Sequence, residues 1–171
     1  MQIKSLATTS PAEQISLQEA KDYARVKSST EDALIAQLII AARQKAEQVL
    51  GRSLVIHSYM QEVTQHDGEI ELLYPPIGTI SKVEYFDGSA WNELTLDTEY
   101  LVKGLDNKYI EVSIAYQNVR VTFATTAFAS YDIVRLMKEL IVIYYDNRPD
   151  SMEQEKVIVN KLAKYKICQA I

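Results

Sequence analysis

Three carboxylates, Asp67, Glu69 and Glu71, stand two residues apart in the stretch HDGEIELL. On a β-strand that spacing sends all three side chains to one face. There a carboxylate pair could serve glycosidase-type acid–base chemistry, or the set could hold a hard cation. Strand alternation alone also produces such a row on a solvated face. The two histidines, His57 and His66, lie in no HExxH or Cys/His pattern, and a general base needs a positioned partner as well. His66 precedes Asp-Gly and reads as a turn residue, while His57 alternates with strand neighbours. The chain has no GxGxxG, Walker or GxSxG motif, and its five glycines leave little for a phosphate-cradling loop. No catalytic or metal-ligating set is therefore predicted, and no cofactor.

Two other stretches concentrate polar groups. YYDNRPD, from Tyr144 to Asp150, sets two tyrosines, an asparagine, an arginine and two carboxylates where an apolar helical pattern stops against Pro149. The last residues, KVIVNKLAKYKICQAI, carry four lysines and no acid, as a docking tail or as the solvated face of a helix. Eleven tyrosines against one tryptophan and three phenylalanines suit surfaces that are half apolar and half wet, as interfaces are. Strand propensity is the other source of tyrosine.

The elements that position these groups follow from periodicity. Ser16 with Glu19 forms a capping-box signature opening a helix that should run to about Val26. Ser29 or Thr30 should cap a second helix whose stripe is Leu34, Ile35, Leu38, Ile39, Ala42, Ala46 and Val49, ending at Gly51. The period then changes to two, and strands are predicted over 54–63, 69–74, 79–86, 91–94, 100–102, 109–114 and 119–123, separated by short turns that make neighbours antiparallel. From Tyr131 the helical period returns, with apolar residues around so much of the circumference that this helix must be covered on more than one side. A last helix follows Pro149 with Ile158, Leu162 and Tyr165 as its stripe. The fold class is α+β, a helical bundle of two N-terminal and two C-terminal helices with an inserted antiparallel β-rich subdomain. Residues 1–14 read as a mobile N-terminal arm, 15–52 and 131–168 as the helical domain, and 53–130 as the insert.

Composition narrows the setting. The 171 residues are 47 % hydrophobic and 24 % charged, with no apolar run long enough to span a membrane and no apolar h-region at the start. The single cysteine, Cys168, fits a reduced cytoplasmic setting. Of the net charge of −5, residues 52–130 hold 11 acids against 5 bases. Such a segment repels phosphate and disfavours wrapping of nucleic acid.

The segments ISLQEAKDYARVKSSTEDALIAQLIIAARQKAEQVLGRSLV, PPIGTISKVEYFDGSAWNELTLDTEYLV, VRVTFATTAF and ELIVIYYDNRPD occur in one order across most of residues 15–167. Together they resemble the head–tail connector (adaptor, head-completion) proteins of tailed bacteriophages and prophages. The shared motifs are packing and turn motifs, so the function is implied by the resemblance alone. It implies a non-enzymatic virion protein, made in the host cytoplasm and placed at the head–tail interface. There it would form a ring, dodecameric in the virion, beneath the portal protein. The ring extends the channel through which DNA passes without specific binding, and docks a stopper or tail-completion protein; no membrane is involved. The interface residues it suggests are Tyr144, Tyr145, Asn147, Arg148, Lys161, Lys164, Tyr165 and Lys166, the carboxyl-terminal segment often docking onto the portal in such connectors. Lys166 stands where the family leads one to expect arginine, and lysine cannot copy a bidentate arginine contact.

Three rivals remain open at this level: a stopper or tail-completion ring, a host-encoded binding module, and a hydrolase or nuclease built on Asp67, Glu69 and Glu71. Assays on glycoside, ester and DNA substrates with added Mg²⁺, Mn²⁺ or Zn²⁺ address the last. The expected result is no turnover; turnover that disappears in Asp67→Ala or Glu69→Ala restores the enzyme reading.

Overall fold

The helical and the alternating stretches separate into two units in a computed structural model that describes residues 2–6, 12–146 and 151–166. One unit comprises Ala12–Leu54 and Phe128–Ile171, the other Met1–Pro11 and Val55–Ala127. Among the described residues, no helix is long and apolar enough to cross a membrane.

In the helical unit, α1 (Leu17–Ala24) opens on the expected capping box. The Glu19 N–H donates to Ser16 Oγ at 3.2 Å, and the Ser16 N–H donates to Glu19 Oε2 at 3.0 Å. The helix stops before Val26 because Arg25 turns left-handed at φ 58° and returns its N–H to the carbonyls of Asp22 and Lys21. Helix α2 (Asp32–Leu50) ends as predicted at Gly51, whose φ of 67° suits a residue without Cβ. Its start differs from expectation. Glu31 is the N-cap and makes no side-chain cap bond, while the hydroxyls of Ser28 and Thr30 bond each other at 2.7 Å.

Helix α3 (Tyr131–Asp146) packs against α1, α2 and α4 (Ser151–Ala163). Its buried Ile133, Leu136, Met137, Leu140 and Ile141 join Ile35, Ile39, Ala42, Ala46 and Leu50 of α2, and Ile158 and Leu162 of α4, in one core. A charged group also lies in this unit: Arg43 is only 4 % exposed. Its Nε donates to the Glu13 carboxylate at 2.9 Å and its Nη1 to Glu47 at 2.7 Å. Glu47 in turn accepts the Leu54 N–H at 2.9 Å, so one ion cluster ties both ends of the 13–54 segment to α2.

The β unit holds two antiparallel sheets. Its strands are β1 (Gln2–Leu6), β2 (Ser58–Val63), β3 (Glu69–Glu71), β4 (Ile77–Phe86), β5 (Trp91–Glu93), β6 (Tyr100–Lys103), β7 (Tyr109–Val112) and β8 (Val119–Thr125). They form a five-stranded sheet of order β1-β2-β8-β4-β5 and a three-stranded sheet of order β3-β7-β6. Of the mobile N-terminal arm expected over residues 1–14, the described parts, residues 2–6 and 12–14, are instead tied down. Gln2–Leu6 pairs antiparallel with β2, and Glu13 and Gln14 bond to Arg43 and to the Leu54 carbonyl.

Alternate residues of β8, Val119, Val121 and Phe123, pack with Val83, Ile70, Leu72 and Ile110 in a second core drawn from both sheets. Gln61 of β2 is fully buried, donating to the Glu71 carbonyl at 2.7 Å and accepting the Leu73 N–H at 3.1 Å, which joins the sheets through backbone. Buried amides are tolerated when both ends are satisfied in this way. Register breaks between Ile77 and Lys82 bend β4 against β8.

Removing the Arg43 side chain takes away the buried cation that the Glu13 and Glu47 carboxylates share. Arg43→Ala should therefore lose about 3–5 kcal/mol of unfolding free energy in urea titrations. A loss below about 1 kcal/mol would show the cluster to be incidental to the fold.

Candidate functional site

The structure disperses the residues that looked most like chemistry. Glu69 and Glu71 share the exposed side of β3 with buried Ile70 between them, and Asp67 lies in the preceding turn. Glu69 stands opposite Glu111 across the strand pair, and Lys103 reaches Glu111 at 3.7 Å. Among the described residues no three His, Cys, Asp or Glu side chains gather as a metal site would need. His66 is occupied as a staple: its Nε2 lies 2.6 Å from the Tyr116 carbonyl, and its Nδ1 accepts the Gly68 N–H at 3.1 Å. A carbonyl can only accept and an N–H only donate, so the ring is the Nε2–H tautomer with both nitrogens used. His57 rests 5.8 Å, ring to ring, from Tyr59.

The other expected group lies where α3 ends and along α4. Tyr144 and Tyr145 are half-buried on the edge of the helical core. Burial, and then the charge and hydrogen bond of Glu155, push the Tyr144 hydroxyl up to about 12. The Tyr145 hydroxyl donates to Glu31 at 2.8 Å, which raises its pKa and ties α3 to the start of α2. Tyr165 donates to Asp132 at 3.2 Å. Its pKa is raised by burial and by that carboxylate. Lys161 lies 3.7 Å from Glu139, while Lys164 and Lys166 project into solvent after α4. Asn147 and Arg148 lie outside the described residues. Of the expected set, then, Lys161, Lys164, Tyr165 and Lys166 fall together at the end of α4, and the two tyrosines of α3 turn their hydroxyls to acids of the same unit.

A polar arrangement that spacing did not suggest crosses the five-stranded sheet. Glu62, Arg120, Glu84 and Glu93 stand in register on β2, β8, β4 and β5. Arg120 donates from Nε and Nη2 to Glu84 Oε2 at 2.9 Å each and lies 4.2 Å above the Trp91 ring. Lys82 completes the cluster at 2.7 Å from Glu84. Burial alone would raise the Glu84 pKa, but the hydrogen bonds and charges of Lys82 and Arg120 outweigh it and hold the carboxyl below its usual range. No reactive atom is presented here; the groups satisfy one another. The missing signal was long-range pairing, because Arg120 and Glu84 are 36 residues apart.

The geometry thus shows two packed units with polar groups internally paired, and the comparisons say what such a chain is similar to. The model of the phage gp6-like head–tail connector proteins matches residues 14–167. The chain belongs to that family. No curated protein matches the connector's sequence. Among solved structures, a chain from the neck of an empty GTA particle, computed with C6 symmetry, superposes with TM-score 0.75 at 15 % identity, over 100 % of this connector and 98 % of that chain. A chain of the virion of a native gene transfer agent particle gives TM-score 0.75 at 13 % identity with the same coverage. One from the neck of a native GTA particle, computed with C12 symmetry, gives 0.64 at 12 % identity, again over 100 % and 98 %. At these identities the likeness is one of fold.

For the connector, the Glu84 cluster sets an acid limit on the β unit. A carboxyl whose folded pKa is depressed stabilises the fold above its unfolded value and loses that contribution as pH falls through the folded value. The window is therefore below the ordinary 4.5 of a glutamate. Glu84→Gln should cost about 2 kcal/mol at pH 7. The gap to the unsubstituted chain should narrow in melts taken from pH 5 downward; a constant gap would mean that Glu84 carries no charge-dependent stability.

Proposed function

We propose that this connector is a non-enzymatic structural protein of the virion, an adaptor that assembles as a ring beneath the portal. In this reading it is made in the host cytoplasm, extends the channel for DNA and gives the next connector or tail component a docking surface. The observation that carries the reading is the family match over nearly the whole chain, which the neck-protein fold supports. Charge supports it too. Within the bounds of the β unit the sequence has 5 Lys and Arg against 11 Asp and Glu, whereas the helical unit has 13 against 12. An acidic unit lets DNA slide without adhering, and a near-neutral one can sit against other protein without long-range repulsion.

The portal contact is assigned to the end of α4, where Lys164 and Lys166 are exposed beside Tyr165. Basic groups beside an aromatic body suit an acidic protein surface, with the lysines acting as point charges rather than as bidentate forks. Leu162 is fully buried, so substitution is a cleaner probe than truncation before it.

The test is co-sedimentation of the purified chain with its cognate portal and with filled heads. The Lys164→Glu/Lys166→Glu variant should bind at least about tenfold more weakly. The intact chain should leave duplex DNA unshifted at low salt. Unchanged binding by the variant removes these lysines from the contact, and no binding by the intact chain would falsify the connector function.

A further inference from the structure

We propose that the ring contact is a heterologous one, made by the outer ridge of α2 on one copy entering the groove between α3 and α4 of the next. This rests on the ring reading above and names the surfaces that close it.

The ridge stands out by what it lacks. Ala33, Leu34, Gln37, Ile40, Gln44 and Gln48 are exposed along about 22 Å of helix, and none is charged, in a chain with 24 % charged residues. Leu34 is 45 % exposed and Ile40 38 %. The outward sides of α1, α3 and α4 carry Glu19 and Asp22, Asp132 and Arg135, and Glu153 and Lys156, respectively. A 19-residue helix left to water is expected to carry charge on its outer side, so a neutral, partly apolar one marks a covered face.

The same unit provides a matching receptor. Val142 and Ile143 of α3 with Val157 and Ile158 of α4 line a groove of about 370 Å³, with the neutral groups Tyr23 and Gln154 in its walls. Glu139, its one acid, already meets Arg135 at 2.7 Å and Lys161 at 3.7 Å. The groove therefore asks for an uncharged, aliphatic and amide-bearing guest. Leu34 and Ile40 with Gln37 and Gln44 are such a guest, whereas nucleic acid and strongly charged peptides are not.

A second copy is the occupant because ridge and groove are different patches on one unit, and two different complementary patches generate a ring when the rotation closes. The charge balance agrees: helical units of +1 meet with less mutual repulsion than β units of −6 would.

The experiment uses a ridge variant, Leu34→Glu/Ile40→Glu, and a groove variant, Val157→Glu, all at exposed positions. Gln37→Arg serves as a milder second ridge probe, and circular dichroism confirms folding. Assembly is followed by analytical ultracentrifugation and by electron microscopy of cognate heads. The unsubstituted chain should form rings, alone or on heads, and each variant alone should stay monomeric. An equimolar mixture of ridge and groove variants should stop at dimers, since only one good pairing of faces survives. Rings that persist in either variant, or variants that never pair on mixing, overturn the assignment of these faces and leave the ring reading intact. Absence of rings from the unsubstituted chain in both settings overturns the ring reading itself.

Discussion

The burial of α3 is the constraint on which the helical unit depends. It carries apolar residues around most of its circumference, and an isolated helix of that kind would expose far more apolar surface than water tolerates. Helices α1 and α2 cover it from one end of the chain, and α4 covers it from the other. Only α4 is a neighbour in sequence; α1 and α2 are separated from α3 by the 73 residues from Val55 to Ala127, which belong to the other unit. The helical unit therefore forms only when sequence-distant segments meet, and the Arg43 cluster holds the segment that carries α2 in place.

Periodicity made most of this legible. The capping box at Ser16, the glycine stop at Gly51 and the all-round apolar pattern of α3 are local signals, and each appears where the residues put it. Strand positions were legible for the same reason, though several strands end earlier or later than alternation suggested: β3 stops at Glu71 and β8 continues to Thr125. What escaped depended on partners. The strand Gln2–Leu6 pairs with β2, which lies more than fifty residues on. The split into two sheets was equally invisible, since turn lengths say which strands can be neighbours but not which sheet each joins.

The candidate site follows the same logic. That Asp67, Glu69 and Glu71 alternate, and that a solvated face would do as much, was visible in the sequence; that β3 begins only at Glu69 and leaves Asp67 in the turn before it was not. His66 could be read as a turn residue, but its use of both ring nitrogens depends on Tyr116, 50 residues away. The tyrosines of α3 were legible as amphipathic side chains at a helix end. Their carboxylate partners, Glu155 and Glu31, come from other helices and could not be named from spacing.

The first and last long strands of the insert, β2 and β8, are direct partners, pairing from Ser58 with Ala124 to Val63 with Val119. At the last residue of β8, Thr125 closes the stem: its N–H donates to the His57 carbonyl at 2.8 Å, and its hydroxyl accepts the His57 N–H at 2.9 Å and donates to the Val55 carbonyl at 3.1 Å. The chain thus leaves for the β unit and comes back at neighbouring points, as a cassette does. Everything beyond the stem can lengthen, shorten or be exchanged without moving the ends that α2 and α3 must reach. One half of the molecule can thus change while the other half keeps its own pace.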